Sequence, residues 1–301
     1  MLKQISFMGR NSDQPFRKIL VTGANGQLGS ELQLLAVNYK NFEFCFTDIE
    51  TLNISNSEAV NSYLHQYQPD IIVNCAAYTA VDKAEEEREK VTLINATAPA
   101  ILADSAKSIG AMLIHISTDY VFDGKSWIPY SENHKTSPNS AYGKSKLNGE
   151  IKALESGVCM VIRTSWLYSS FGNNFLKTIL KKGKEQKELN VVFDQVGCPT
   201  WANDLARAIL SIIEMGKNGF KPEIFHYSNE GVCSWYDFAK EIALMGDLNC
   251  KINAILSSQY KMAASRPPYS VLDKTKIKLT YGIEIPHWRE SLAKCMKSII
   301  S

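Results

Sequence analysis

Seven cysteines are scattered through the chain, at positions 45, 75, 159, 198, 233, 250 and 295, and no two form a Cys-x-x-Cys pair or a zinc-like spacing. An odd, dispersed set argues against a disulfide scaffold and reads as reduced, mostly buried thiols of a cytoplasmic protein. Only five histidines are present, at 65, 115, 134, 226 and 287. Their dispersion argues against a His-centred metal site or triad, and His115, inside the run Leu113–Ile116, reads as a core or strand-end residue. No apolar run approaches a membrane span, and Met1–Arg17 lacks the apolar stretch of a signal peptide. A net charge of +2 over 301 residues gives no electrostatic reason to expect nucleic acid or a membrane surface as partner. Internal repeats and low-complexity tracts are absent too. What remains is a chain with 45% hydrophobic residues, long enough to bury one large core or two unequal ones. Residues 1–17 have no pattern of their own and read as a disordered extension or an upstream start, with Met8 as an alternative start.

The segment Lys18–Leu32 carries the first chemical signal. An apolar run, Ile19–Val21, reads as a buried parallel strand, and Gly23, Gly26 and Gly29 follow at three-residue spacing before a helical pattern through Leu32 and Leu35. In a dinucleotide-binding turn the first glycine allows the tight bend, the second lets backbone approach a pyrophosphate, and the third lets helix pack on strand. Phosphates then sit at the helix N-terminus. A glycine triplet alone is equally a turn without a ligand. Here a second strand, Phe42–Phe46, follows the helix and ends in Thr47-Asp48, placing a carboxylate 19 residues beyond Gly29, where it would meet an adenosine ribose.

Strands and helices then alternate. Ile54–Tyr67 reads as a helix opened at Ser55 or Ser57, Ile71–Ala77 as a strand, Asp82–Lys90 as a solvated helix face and Leu93–Ser108 as an amphipathic helix. The strand Ala111–Ile116 follows, then a helix from Tyr142 to about Glu155 and the strand Cys159–Arg163. This alternation predicts an α/β fold, a Rossmann-type doubly wound parallel sheet, with ligands beyond the carboxyl ends of its strands. The second half is less regular and more aromatic. It reads as a helix from Phe175 to about Lys182 with a solvated continuation to Glu188, a strand Val191–Asp194, a helix Asp204–Gly216, a strand Ile224–Ser228 and a capped helix Ser234–Gly246, with a proline-stiffened loop at Ala264–Pro268. The predicted organisation is a leader (1–17), a dinucleotide-binding domain (18–165) onto which a segment near 200–230 packs back, and a smaller mixed α/β substrate-binding lobe (166–301).

The stretch Ser117–Lys146 carries the second signal. Tyr142 and Lys146 stand one helical turn apart on the same face, and an ammonium near a phenol favours the phenolate, which suits Tyr142 to proton transfer with an alcohol or carbonyl. By itself a Tyr-x-x-x-Lys pair is equally a half-buried tyrosine beside a solvated lysine.

Several segments taken together resemble the dTDP-4-dehydrorhamnose reductases of the extended short-chain dehydrogenase/reductase superfamily. They are ILVTGANGQLGSEL, DIIVNCAAYTAVDKAE, INATAP, HISTDYVFDG, SPNSAYGKSKLNGE, VIRTSWLYSSFGNNF, DQVGCPT and ASRPPYSVLD, and they run in the family's order from about Lys18 to the C-terminus. The resemblance implies reduction of the C4 ketone of dTDP-4-dehydro-L-rhamnose by NADPH or NADH, the last step of dTDP-rhamnose biosynthesis. It implies a catalytic set of Thr118, Tyr142 and Lys146, with Lys146 also holding the nicotinamide ribose while lowering the pKa of Tyr142. Gly23, Asn25, Gly26, Gln27, Leu28, Gly29, Asp48, Asn53, Ala76, Ala77 and Tyr78 would line the dinucleotide, with Tyr142 and Lys146. Thr118, Asp119, Trp166 and Arg266 would contact the sugar nucleotide. Trp166, after the strand Cys159–Arg163, is either a stacking platform for the deoxyhexose or a core aromatic.

Departures from the family pattern carry their own expectations. Asn53 stands where many members have Asp, which weakens an adenosine-side contact. Glu31 matches one ligand of a magnesium-bridged dimer seen in some members, but Asn203 and Ser298 occupy two others, so no metal and a monomer or weak homodimer are expected. Asp48 favours NADH by repelling a 2′-phosphate, while the resemblance allows NADPH, and the choice stays open. Three alternatives share the scaffold: a sugar-nucleotide 4,6-dehydratase, which needs a carboxylate where this chain has Tyr120; a 4-epimerase; and a non-catalytic regulatory subunit like that of methionine adenosyltransferase.

Overall fold

The computed structural model describes residues 17–260 and 263–300, so the leader, apart from Arg17, lies outside the described residues. The first half builds β1 (Lys18–Thr22), α1 (Gln27–Ala36), β2 (Glu43–Thr47), α2 (Ser57–Tyr67), β3 (Ile71–Asn74), α3 (Arg88–Thr92), α4 (Ala98–Ser108), β4 (Met112–Thr118), α5 (Ala141–Leu154) and β5 (Cys159–Thr164). The second half adds β6 (Leu167–Tyr168), α6 (Phe175–Glu185), β7 (Glu188–Val192), β8 (Val196–Gly197), β9 (Thr200–Trp201), α7 (Ala202–Glu214), α8 (Gly216–Gly219) and β10 (Ile224–His226). It ends with β11 (Cys233–Ser234), α9 (Trp235–Met245), β12 (Lys251–Ile255), α10 (Thr275–Tyr281) and α11 (Trp288–Ile300).

Six strands form one parallel sheet in the order β10-β5-β4-β3-β1-β2. The central strands are apolar on both faces because both are covered. Ile19 and Val21 of β1 pack with α1 and α7, whereas Leu20 between them packs with α2 and α4. These residues are fully buried, each worth roughly 1.5–3 kcal/mol relative to exposure. The sheet is therefore doubly wound, of Rossmann type, and its direction of growth reverses between β1 and β3. A ligand crevice belongs at that reversal, beyond the carboxyl ends of the strands. A separate apolar cluster, with Tyr168, Leu176, Phe238, Ile242, Leu292 and Met296 at its centre, joins α6, α9 and α11. The parallel pair β7–β12 lies beside it.

Several element boundaries differ from the sequence expectation for local reasons. Helix α2 begins at Ser57, one of the two expected openings, but its cap is Asn56, whose side chain accepts from Ala59 N–H at 3.0 Å. Strand β3 ends at Asn74 because the Asn74 side chain turns back to accept from Ala76 N–H at 3.1 Å. The segment predicted as one helix from Leu93 contains a π-helical turn, Leu93–Thr97, ahead of α4. Glu188, expected on a solvated helix end, opens β7 instead, in register with Lys251. Helix α9 matches its expectation, with Ser234 and Asp237 forming a capping box.

Candidate active site

At the end of β1 the backbone turns sharply at Gly23, whose φ of 66° suits glycine. A side chain there would drive a Cβ to 2.5 Å from the Ala76 nitrogen, so β1 and the loop after β3 approach only because Gly23 has none. Gly26 precedes α1 without a side-chain cap, leaving the first helical N–H groups for an anion. Beside them lies a cavity of about 280 Å³ lined by Gly23, Gly26, Asp48, Asn53, Ala76 and Ala77, among others. Its floor and donor set fit the adenosine end of a dinucleotide. Asp48 is doubly anchored: Oδ2 accepts from Asn25 N–H at 2.8 Å and Oδ1 from Ile49 N–H at 2.8 Å. Asn53 spends its side-chain oxygen locally, on Ser55 N–H and Oγ at 3.0 and 2.7 Å. Leu28 is buried in the core under α1, so any ligand contact from it is through its backbone. The Gln27 side chain is taken up from the other direction, by Asn174 Nδ2 at 2.9 Å. Tyr78 is held by Asn95 of the π-helical turn, which accepts from its N–H at 2.8 Å and donates to its carbonyl at 3.0 Å.

Thr118, Tyr142 and Lys146 converge at the carboxyl edge of β4. Ser140 caps α5 by accepting from Gly143 N–H at 3.1 Å, fixing the turn that carries Tyr142. Gly143 lets this turn press onto the segment after β4, where a Cβ would stand 2.3 Å from the Tyr120 carbonyl oxygen. The Tyr142 phenol is buried, within hydrogen-bonding reach of Thr118, and its ring meets Tyr120 edge-on at 5.5 Å. Burial pushes its pKa up to about 12, the Thr118 hydrogen bond pulls it down, and the Asp119 charge pushes it up. This corrects the expectation that Lys146 lowers it. The Lys146 ammonium is turned instead to the Ile116 carbonyl, donating at 2.6 Å, and stands 3.4 Å from His115 Nε2. Lys146 itself is drawn down to about 8 by burial, with Glu150 acting in the opposite sense.

The residues expected at the sugar are differently disposed. Asp119 is buried beside Tyr142 and accepts from Thr118 Oγ1 at 2.9 Å. Burial raises its carboxyl to about 6, against the Ser270 and Thr118 hydroxyls. Its Oδ2 nonetheless has no hydrogen bond of good geometry, so the Ser270 contact is a loose one. Trp166 takes up a left-handed φ of 48°, uncommon for a bulky residue, and its ring lies flat on Trp235 at 3.6 Å. One face of the indole is thus covered by protein. Arg266 pairs with Asp82 at 3.0 Å, and Asp82 also accepts from Ala264 N–H at 3.0 Å, which ties the proline-stiffened loop to the segment after β3.

The model of the RmlD substrate binding domain matches residues 17–300. The chain belongs to the dTDP-4-dehydrorhamnose reductase family. A structure of a dTDP-4-dehydrorhamnose reductase from Clostridium acetobutylicum is 44% identical, covers 94% of this chain and all of that one, and superposes with a TM-score of 0.90. One from Bacillus anthracis, in complex with NADP, is 37% identical, covers 94% and 99% of the two chains, and has a TM-score of 0.89. The spore coat polysaccharide biosynthesis protein SpsK of Bacillus subtilis is 42% identical over 93% of this chain and 97% of its own length.

Glu31, on α1 of this reductase, is a buried carboxylate. Its Oε1 accepts from Ser169 Oγ at 2.6 Å and its Oε2 from Asn203 Nδ2 at 2.8 Å, so both oxygens are engaged by neutral donors inside the protein. Ser298 is bonded to the Cys295 carbonyl on its own helix. Sequence reasoning missed Asn74, Asn95 and Asp82 as organisers of the site. Each lies inside a quoted family segment, but an amide or carboxylate that bonds backbone leaves no spacing signal of its own.

Proposed function

We propose that this protein reduces the C4 ketone of dTDP-4-dehydro-L-rhamnose with NADPH or NADH, giving dTDP-L-rhamnose. The observation that carries the reading is the meeting of Thr118, Tyr142 and Lys146 at the end of β4, beside the glycine-lined crevice between β1 and β3. Gly23, Gly26, Asp48, Ala76 and Ala77 would hold the dinucleotide, which supplies a hydride when bound. Tyr142, kept protonated by its burial, gives its proton to the developing C4 alkoxide, and Thr118 hydrogen-bonds the same oxygen. Lys146 holds the nicotinamide ribose. Asp119, Arg266 and Trp166 contact the sugar nucleotide. Asp48, already fixed by two backbone N–H groups, counts against a 2′-phosphate by charge, whereas the Bacillus anthracis relative binds NADP, and in this reading either dinucleotide serves. Residues 166–301 act chiefly as the substrate-binding lobe, and the protein works in the cytoplasm as a monomer or weak homodimer without a metal.

The test is NAD(P)H consumption with enzymatically prepared dTDP-4-dehydro-L-rhamnose, against a control without it. Substrate-dependent oxidation is expected; none, with an intact fold, would favour the non-catalytic reading.

A further inference from the structure

A buried polar chain crosses the sheet from the glycine turn to Lys146, and no step of the proposed reaction uses it. Thr22 Oγ1 donates to Asn74 Oδ1 at 2.8 Å, Asn74 Nδ2 meets His115 Nδ1 at 3.1 Å, and His115 Nε2 meets Lys146 Nζ at 3.4 Å. Asn74, His115 and Lys146 are almost wholly buried, out of reach of bulk solvent.

The direction of this chain follows from one backbone group. Ala76 N–H donates to Asn74 Oδ1 at 3.1 Å and has no alternative polarity, so the Asn74 amide cannot be flipped without setting two donors face to face. Asn74 therefore presents its NH₂ group to His115, and Nδ1 must carry a lone pair. Burial, the larger influence on it, holds the imidazole neutral. A neutral ring with a bare Nδ1 carries its proton on Nε2, facing Lys146. An ammonium has no lone pair to receive it, whereas a free amine does.

We propose that His115 is a positioning residue for Lys146, donating from Nε2–H to the lysine amine, with its tautomer dictated through Asn74 by the Ala76 backbone. The arrangement favours the free amine and so lets Lys146 lose and regain a proton near neutral pH. The other charged groups on the elements around the lysine are Lys144, Lys152 and Glu150 on α5, the last paired with Arg163 of β5 at 2.7 Å, Asp119 after β4, Lys83 and Glu85 ahead of α3, Arg88, Glu89 and Lys90 on it, and Asp104 and Lys107 on α4. Of these Glu150 acts on it, and in the opposite sense, toward the ammonium. The proposal rests on Lys146 being the catalytic lysine only for its consequence in turnover; the hydrogen-bond direction is a property of the protein alone.

The experiment is ¹⁵N NMR of the substrate-free protein labelled in histidine, with the His115 signals assigned by their loss in His115→Gln. A protonated Nε2 and a bare Nδ1 are expected; the reverse tautomer would overturn the proposal. Asn74→Asp offers an acceptor to Nδ1 and should invert the tautomer. The alkaline midpoint of Lys146, followed by ¹³C-lysine NMR and assigned with Lys146→Met, should then rise by about one pH unit. An unchanged tautomer and midpoint in a folded Asn74→Asp protein would also overturn it, and the wild-type tautomer decides if that variant does not fold. Absence of turnover alongside a protonated Nε2 would count against the reductase reading and leave the chain intact.

Discussion

Around Tyr142, burial and the Asp119 charge both oppose ionisation, and together they outweigh the Thr118 hydrogen bond. A phenol held near 12 keeps its proton throughout the range in which the enzyme works, which suits it to donating to a new alkoxide. Tyr142→Phe is therefore expected to lower kcat by about 10² to 10⁴ while leaving dinucleotide affinity largely intact; near wild-type turnover would remove this phenol from the reaction. In the proposed reaction the titration expected to shape the rate is that of Lys146. As pH rises through about 8 the ammonium is lost, so kcat/KM should fall there, and in Lys146→Met this limb should vanish from whatever activity is left. A limb that persists in that variant must come from another group. Asp119 has the opposite linkage. Its folded-state pKa lies above the ordinary carboxylate value, so its contribution to stability is present in acid and lost as pH rises through about 6. Above that, Asp119→Asn should stabilise the protein, by roughly 1–3 kcal/mol in denaturant unfolding at neutral pH, while lowering kcat. Stability that falls at neutral pH would show that the carboxylate is better compensated than its loose Ser270 contact suggests.

Among the elements, the strands of the parallel sheet were the most legible from sequence. Covered on both faces, they appear as short continuous apolar runs, such as Ile19–Val21 and Ile71–Val73, each followed by a polar or glycine-bearing turn at the carboxyl edge. The glycine turn and the Tyr142–Lys146 helix were placed correctly, whereas the strand expected to end at Ile116 runs on to Thr118. The direction of Lys146 was not legible, because it depends on a carbonyl and an imidazole of β4 that no spacing rule connects to α5. Nor was the Trp166–Trp235 stack, which joins residues 69 positions apart. Helices α10 and α11 escaped the sequence reading as well, although Gly282 closes the first in a left-handed conformation and Trp288, Leu292 and Met296 line one face of the second. At this scale Gly143 offers a sharp test of how α5 meets the end of β4. With a Cβ 2.3 Å from the Tyr120 carbonyl oxygen, Gly143→Ala should shift the first turn of α5 and reduce kcat more than it raises the dinucleotide KM. A variant with unchanged kcat would mean that the turn can yield without moving Tyr142.

For the whole molecule, Glu31 bears on assembly. Because Ser169 and Asn203 engage both of its oxygens, a chelator should alter neither turnover nor solution mass, measured by light scattering with and without EDTA. A chelator-induced fall in mass would show that these hydrogen bonds give way to a metal. In the proposed reaction one site brings a hydride donor and the Tyr142 proton to the same carbonyl. The most direct measurement is to supply dinucleotide deuterated at the transferring position together with dTDP-4-dehydro-L-rhamnose and to locate the label in the product by NMR. The expected result is one deuterium at C4 of a dTDP-L-rhamnose product, with one dinucleotide oxidised per sugar reduced. Product formed without net oxidation, or label at any other carbon, would contradict it.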